Sequence, residues 1–264
     1  MELLDLQLEH PFEHAHVSLV APARLPDGSQ AVLKVNFPDL ESEREADALA
    51  FWEGVGAVRL LAHDPGRRAL LVERCVPGST LWEIDDDAEA TGIAAGVLWQ
   101  LWRAPSADNF RRLEDEAARW AVELPERWEG MGRPFERSLL DFAVDFLRQA
   151  GPDQGEQVVV HQDFHGGNVL RAERAPWLAI DPKPLIGERE FDTASLLRDR
   201  RHELSADAHP ERTVRRRLDY LSAELELDRE RMRGWGVAHA VAWGLVEVVL
   251  DDIIACARWL KEPK

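Results

Sequence analysis

Hydrophobic and polar positions alternate along the first quarter of the chain with the two-residue period of half-buried strands. Residues 16–25 and 30–35 carry this pattern on either side of Pro26-Asp27-Gly28-Ser29. Proline fixes φ there and glycine accepts positive φ, so a hairpin is predicted. In the second strand the alternation puts Lys34 on one face with Val32, a long cation in a strongly apolar segment. The period then lengthens. Residues 40–53 read as a helix with Asp39 as N-cap, and Glu45, Leu49 and Trp52 recur at i, i+4 and i+7. Glu45 therefore falls on the inward stripe. A second hairpin is predicted from residues 57–63 and 69–75 around Asp64-Pro65-Gly66.

Residues 85–150 change character and read as mainly helical. An apolar helix over 93–102 is broken by Ala104-Pro105-Ser106, and further helices are predicted over 113–124 and 135–150. Trp99, Trp102, Trp120 and Trp128 could line a flat ligand, but helical spacing favours core packing.

The densest polar chemistry follows three β-branched residues, Val158, Val159 and Val160, which predict a short buried strand. The loop after it carries His161, Asp163, His165 and Asn168, with Gly166-Gly167 between them. Residues 168–171 and 177–180 then read as a hairpin. Antiparallel pairing would bring Asn168 and Asp181 to the same end, beside Asp163. An amide oxygen and a carboxylate there suit a hard cation such as Mg²⁺, and Asp163 is left free for proton chemistry.

Beyond this stretch Asp192 is a candidate N-cap for a helix over 193–200, and residues 211–226 form a charged amphipathic helix. Residues 229–260 read as one helix carrying Trp243, Glu247 and Asp251 on one face at i, i+4 and i+8.

Composition narrows the picture. The chain has 264 residues, 45% hydrophobic and 31% charged, which is ample for one large domain or two lobes with a core. Its 49 acidic and 32 basic residues give a net charge of −17. That disfavours nucleic acid as a partner and suits a cationic small molecule, although solubility alone accounts for much of it. Cys75 and Cys256 offer neither a disulfide framework nor a metal-binding spacing. The N-terminus has acids where a signal peptide has bases, and the most apolar run, 237–250, is too short to span a bilayer. A cytosolic location without membrane contact is expected.

The spacing His161-x-Asp163-x-x-x-x-Asn168, with Ile180-Asp181 after a hairpin, is the catalytic-loop pattern of phosphoryl-transfer enzymes with a kinase-like fold. More narrowly, VVVHQDFHGGNVL, LAIDPKPLIGEREFD and Asp181-Pro182-Lys183-Pro184 resemble the aminoglycoside phosphotransferase family, in its streptomycin and hydroxyurea phosphotransferase branch. The resemblance implies an α+β, bilobal fold. A small antiparallel lobe with one helix (residues 1–75) would bind the nucleotide, and a larger helical lobe (76–264) would carry catalysis and acceptor binding.

It further implies ATP and Mg²⁺. Lys34, oriented by Glu45, would hold the α- and β-phosphates, and Asn168 and Asp181 would hold the metal. Asp163 would take the acceptor's proton while His161 braces the loop. Asp192 would brace the catalytic loop. Lys183, just after Asp181, could reach the transferred phosphate or equally be a solvated lysine on a proline-stiffened loop. Glu73 to Cys75 would form the connector that meets adenine, chiefly through backbone. The phosphate-covering turn would fall at residues 12–18, where this chain has no glycine and offers His14 and Ser18 instead. C-terminal helices bind substrate cations in such enzymes, which points to Trp243, Glu247 and Asp251. The implied acceptor is a streptomycin-like molecule.

Two rivals stand beside this reading. A metallohydrolase could use His161, Asp163 and His165, but it leaves Lys34, Glu45 and Asp181 without a role. A nucleotide-binding pseudokinase would fit the irregular phosphate turn but not the complete set of polar residues.

Overall fold

The computed structural model describes residues 6–12, 18–106 and 109–261. His14 lies outside the described residues. Strands β1 (Gln7–Leu8), β2 (Ser18–Arg24) and β3 (Gln30–Asn36) are followed by helix α1 (Glu45–Trp52) and strands β4 (Leu60–Asp64) and β5 (Ala69–Glu73). They form one antiparallel sheet in the order β1-β2-β3-β5-β4. The predicted hairpins are present, with Val20 opposite Lys34 and Lys34 opposite Leu70. The first helix is shorter than its pattern suggested. Asp39 caps a 3-10 turn at Ser42–Arg44 by accepting from the Ser42 amide at 2.7 Å, and the α-helix begins only at Glu45.

The larger lobe contains α2 (Asp87–Leu101), β6 (Arg111–Arg112), α3 (Leu113–Gly130), α4 (Arg137–Ala150), β7 (Gln157–Val160), β8 (Val169–Arg171), β9 (Trp177–Ala179) and β10 (Leu185–Glu188). Six helices complete it: α5 (Arg189–Asp192), α6 (Ala194–Leu197), α7 (Arg201–Ala206), α8 (Pro210–Glu224), α9 (Arg229–Gly244) and α10 (Asp251–Lys261). Trp102, Trp120 and Trp128 are core residues, whereas Trp99 is exposed. Among the described residues no helix is long and apolar enough to cross a membrane.

Two sequence expectations need correction here. Residues 229–260 are not one helix. The chain leaves helical geometry after Gly244, where any side chain would meet Ile254, and crosses a Leu245–Val249 bridge. The β-branched Val246, Val248 and Val249 disfavour helix there, and Asp251-Asp252 starts a new one. Trp243 therefore does not share a helical face with Glu247 and Asp251. Nor does Asp192 cap a helix from 193 to 200. It ends α5, and its carboxylate points into the core.

The β8–β9 hairpin belongs to the larger lobe in sequence but is stitched to the sheet lobe. Ala57 bridges Ala179, and the Ala179 amide donates to the Gly56 carbonyl at 2.8 Å. Arg174 in the hairpin turn donates to the carbonyls of Gly54 and Ala57 and grips both carboxylate oxygens of Glu73.

Candidate active site

The site begins in β3. Lys34 points from the strand toward α1, where both Glu45 oxygens accept from its ammonium at 2.9 and 2.7 Å. Its third partner is Asp181, at 2.5 Å from a position 147 residues later. Burial would lower the lysine's pKa, but the two carboxylates outweigh it and hold the ammonium above its ordinary value. Two positions further along the same face, Asn36 donates to Glu45 at 2.7 Å and accepts from the Ser18 hydroxyl at 3.0 Å. Asn36 was not singled out from the sequence. The strand period did carry the signal, because Lys34 and Asn36 are i and i+2.

The catalytic-loop candidate is built from the opposite lobe. Asp192 accepts from the backbone amides of His161 and Gln162 at 3.0 and 2.8 Å and from the Trp102 indole at 3.0 Å. Its burial nevertheless pushes its pKa up to about 6. Ser195 holds the Gln162 carbonyl at 3.0 Å. Gln162 itself sits at φ 68°, a left-handed conformation that turns the chain sharply just before Asp163.

His161 is fully buried, with its ring near Trp52 and its Nε2 2.9 Å from the Ile180 carbonyl. A carbonyl only accepts, so Nε2 carries the proton. Burial lowers the imidazole pKa to about 4, so the ring stays neutral and ties the loop to the hairpin. The two imidazoles and the carboxylate of the metallohydrolase reading do not converge. No three His, Cys, Asp or Glu side chains gather as a metal cluster among the described residues.

Asp163 stands between two basic groups. Lys183 approaches one oxygen at 2.7 Å, and His165 Nε2 lies 3.7 Å from the other. Burial alone would raise this carboxyl, but the charges of Lys183 and His165 outweigh it and hold the pKa at about 2. Asp163 is therefore ionised, a proton acceptor throughout the neutral range.

The glycines after His165 answer to Trp82. Its ring stacks on His165 at 5.2 Å and its indole donates to Asp199 at 2.6 Å, while Asp199 also accepts from the Gly166 amide at 2.7 Å. A Cβ on Gly166 or Gly167 would come within 2.6 Å of that ring. Trp82 and Asp199 are 117 residues apart, and no local pattern announced their pairing.

Asn168 lies at the head of the hairpin, where its amide nitrogen donates to the Asp163 carbonyl at 2.9 Å. The amide oxygen has no hydrogen bond among the described residues. Asp181 leaves the far strand at φ 57°, strained for most residues but tolerated by aspartate. The Ile180 amide bonds the Asn168 carbonyl at 2.9 Å, so both side chains emerge at one end of the ribbon. The donor set suits Mg²⁺: one amide oxygen and one carboxylate, with Lys34 facing two carboxylates and leaving an uncompensated negative charge.

The remaining candidates divide. The Glu73 side chain is occupied by Arg174 and by the Arg59 amide, and its own amide donates to the Arg59 carbonyl at 2.9 Å. The Cys75 thiol is buried and raised to about 12 by burial. Trp243 reaches the cleft, with Lys183 5.3 Å above its ring. It borders a cavity of about 480 Å³ shared with Trp82, Asp163, His165 and Arg198. It also borders a second cavity of about 670 Å³ shared with Glu41, Trp120 and Glu247. Asp251 lines neither cavity and is exposed. Arg198 was missed because Arg198-Asp199-Arg200-Arg201 reads as a solvated charge run.

A family model described as aminoglycoside/hydroxyurea antibiotic resistance kinase matches residues 6–247. A streptomycin 6-kinase of Streptomyces glaucescens is 39% identical over 237 residues, covering 89% of this chain and 77% of that protein. A hydroxyurea phosphotransferase of Kitasatospora aureofaciens is 36% identical over 251 residues, covering 94% and 71%. Among solved structures, the aminoglycoside phosphotransferase APH(3'')-Id of Streptomyces rimosus, in complex with ADP and streptomycin, aligns with a TM-score of 0.55 at 20% identity, over 90% of this chain and 93% of that one. A fructosamine-3-kinase from Thermobifida fusca aligns at 0.61 and 16%, over 96% and 94%. The bilobal α+β kinase-like fold is thereby established.

Proposed function

The chain belongs to the aminoglycoside/hydroxyurea antibiotic resistance kinase family, and from this premise we propose that it transfers the γ-phosphoryl group of ATP to a hydroxyl of a streptomycin-like acceptor. It is a small-molecule kinase, a phosphotransferase acting on a hydroxyl group. The observation that carries the finer reading is the meeting of Lys34 with both Glu45 and Asp181, beside a hairpin end that also bears Asn168 and touches the Asp163 loop.

In this reading the nucleotide lies between residues 1–75 and 76–264, with its base against the backbone of the Glu73 to Cys75 connector. Lys34, steered by Glu45, binds the α- and β-phosphates, and Ser18 lies at the end of the strand that borders them. Asn168 and Asp181 hold Mg²⁺, which when bound draws off charge developing on the phosphates. Asp163 accepts the proton of the attacking hydroxyl. Its low pKa is adequate, because in a loose transition state the proton leaves late. Lys183 places a second ammonium at the reacting end. Trp243 forms a wall for the acceptor, whose cationic groups Glu247 attracts, and Asp251 contributes at most a distant charge.

The test is an ATP-consumption assay of the purified protein with streptomycin, other aminoglycosides and hydroxyurea, with phosphorylated product followed by mass. Phosphorylation of streptomycin is expected. ATP consumption without any phosphorylated acceptor would refute the proposed chemistry, and turnover of hydroxyurea alone would replace the acceptor.

A further inference from the structure

Arg198 lies beside the catalytic candidates without an ion pair: Asp163 acts on it only across a distance, and that carboxylate is hydrogen-bonded to Lys183 instead. Its side chain is buried, 7% exposed, on the segment between α6 and α7. Its guanidinium donates to His239 Nδ1 at 2.9 Å and lies 5.3 Å from the centre of the Trp243 ring. Among the described residues no carboxylate pairs with it. His239 is itself fully buried, and burial and the adjacent Arg198 charge keep that imidazole neutral, so the guanidinium gains no anion there. Yet Arg198 borders the same cavity as Asp163 and His165.

Taking an ion out of water costs several kcal/mol unless a counter-charge offsets it. A protein that keeps such a cation at the edge of a reaction cavity is organised to receive an anion. We propose that Arg198 holds oxygens of the phosphoryl group as it passes to the acceptor, on the helical-lobe side of Asp163. The inference rests on the phosphotransfer reading above. In that step the acceptor oxygen forms a bond to the γ-phosphorus as the bond to the bridging oxygen of ADP breaks. The hydroxyl proton goes to Asp163, and the equatorial oxygens keep their negative charge throughout. Five N–H donors in a planar fork suit those oxygens, and the neutral His239 acceptor uses only one of them. Lys34 serves the phosphates that stay with the nucleotide. Arg198 serves the one that leaves.

The test uses Arg198→Met and Arg198→Lys in the full chain. For Arg198→Met, kcat should fall ~10²-fold, with KM for acceptor and nucleotide within ~3-fold, as for loss of one charge-stabilising donor. Because the removed charge is buried and makes no direct ion pair, its Tm should be equal to or above wild type. Inorganic phosphate should raise the Tm of wild type and not of Arg198→Met. A structural strut predicts the reverse: lower Tm, with kcat per folded molecule intact. That result, or kcat within ~3-fold of wild type, overturns the proposal. An Arg198→Met protein too unstable to assay contradicts the energetic premise, and Arg198→Lys then decides. A ~10-fold loss of kcat at unchanged KM supports a requirement for the fork, and full activity removes it. Should wild type phosphorylate no acceptor, the phosphotransfer reading fails by itself, while the response to inorganic phosphate still decides whether Arg198 binds an anion.

Discussion

On the sheet side of the cleft the buried cation Lys34 is met by partners within the chain. Lys34 meets Glu45 and Asp181, Asn36 donates to Glu45, and Ser18 in turn donates to Asn36. On the helical side, charges are left open. Among the described residues Arg198 makes no ion pair with a carboxylate, and the Glu247 side chain bordering the 670 Å³ cavity has neither hydrogen bond nor ion pair. In the proposed reading the first wall serves the nucleotide and the second would be completed by the acceptor, which is where one family member would differ from another.

Four substitutions test that contrast. The largest effect is expected where the walls meet. Asp163→Asn should lower kcat ~10²–10⁴-fold with nucleotide affinity nearly intact, measured by steady-state kinetics and nucleotide titration. Unchanged turnover would remove Asp163 as base. On the answered wall, Glu45→Ala strips a buried carboxylate from Lys34 and Asn36 and should cost ~3–5 kcal/mol of unfolding free energy in a denaturant titration. A loss below ~1 kcal/mol would show that the network is not fully desolvated.

Lys183→Met removes both a charge and a hydrogen bond from Asp163 at the junction. The Lys183 ammonium favours ionised Asp163, so its removal raises the Asp163 pKa, and activity that needs the carboxylate is lost at a higher pH on acidification. The acidic limb of kcat/KM should therefore move upward. An unmoved limb would show that Lys183 does not set the base's ionisation. On the open wall, Glu247→Gln should raise KM for a cationic acceptor at most ~5-fold, the reach of one exposed charge, and leave kcat alone. A fall in kcat would place Glu247 in the chemistry instead.

The same contrast governs what the sequence could tell. Lys34, Glu45, Asn168 and Asp181 lie on segments whose period fixes the facing of each side chain, and their mutual approach follows from pairing two hairpins and one helix. The extent of β4 and the short α1 were blurred by local irregularity, since the chain turns through a 3-10 step before Glu45. Asp192 misled because an aspartate before Thr-Ala-Ser-Leu-Leu looks the same whether it caps a helix or is buried under a loop 30 residues upstream. The break after Gly244 was hidden by apolar residues that continue the helical stripe into the turn. Trp82, Asp199 and Arg198 gave no local sign, because their meaning lies in contacts between distant segments.

Arg174 gives the molecule a mechanical property. By gripping Gly54, Ala57 and Glu73 it makes the β8–β9 hairpin a passenger of the sheet, although its own strands follow the loop held by Asp192. The same hairpin is tied to the opposite lobe as well, because His161 meets the Ile180 carbonyl, Asn168 donates to the Asp163 carbonyl, and Thr80 bridges Leu170. It is thus a common anchor, and a load placed on the sheet reaches Asn168, Asp181 and the Asp163 loop together. Gly166 and Gly167 let that loop pass beneath Trp82, and a bulkier residue there would push the loop off its anchor.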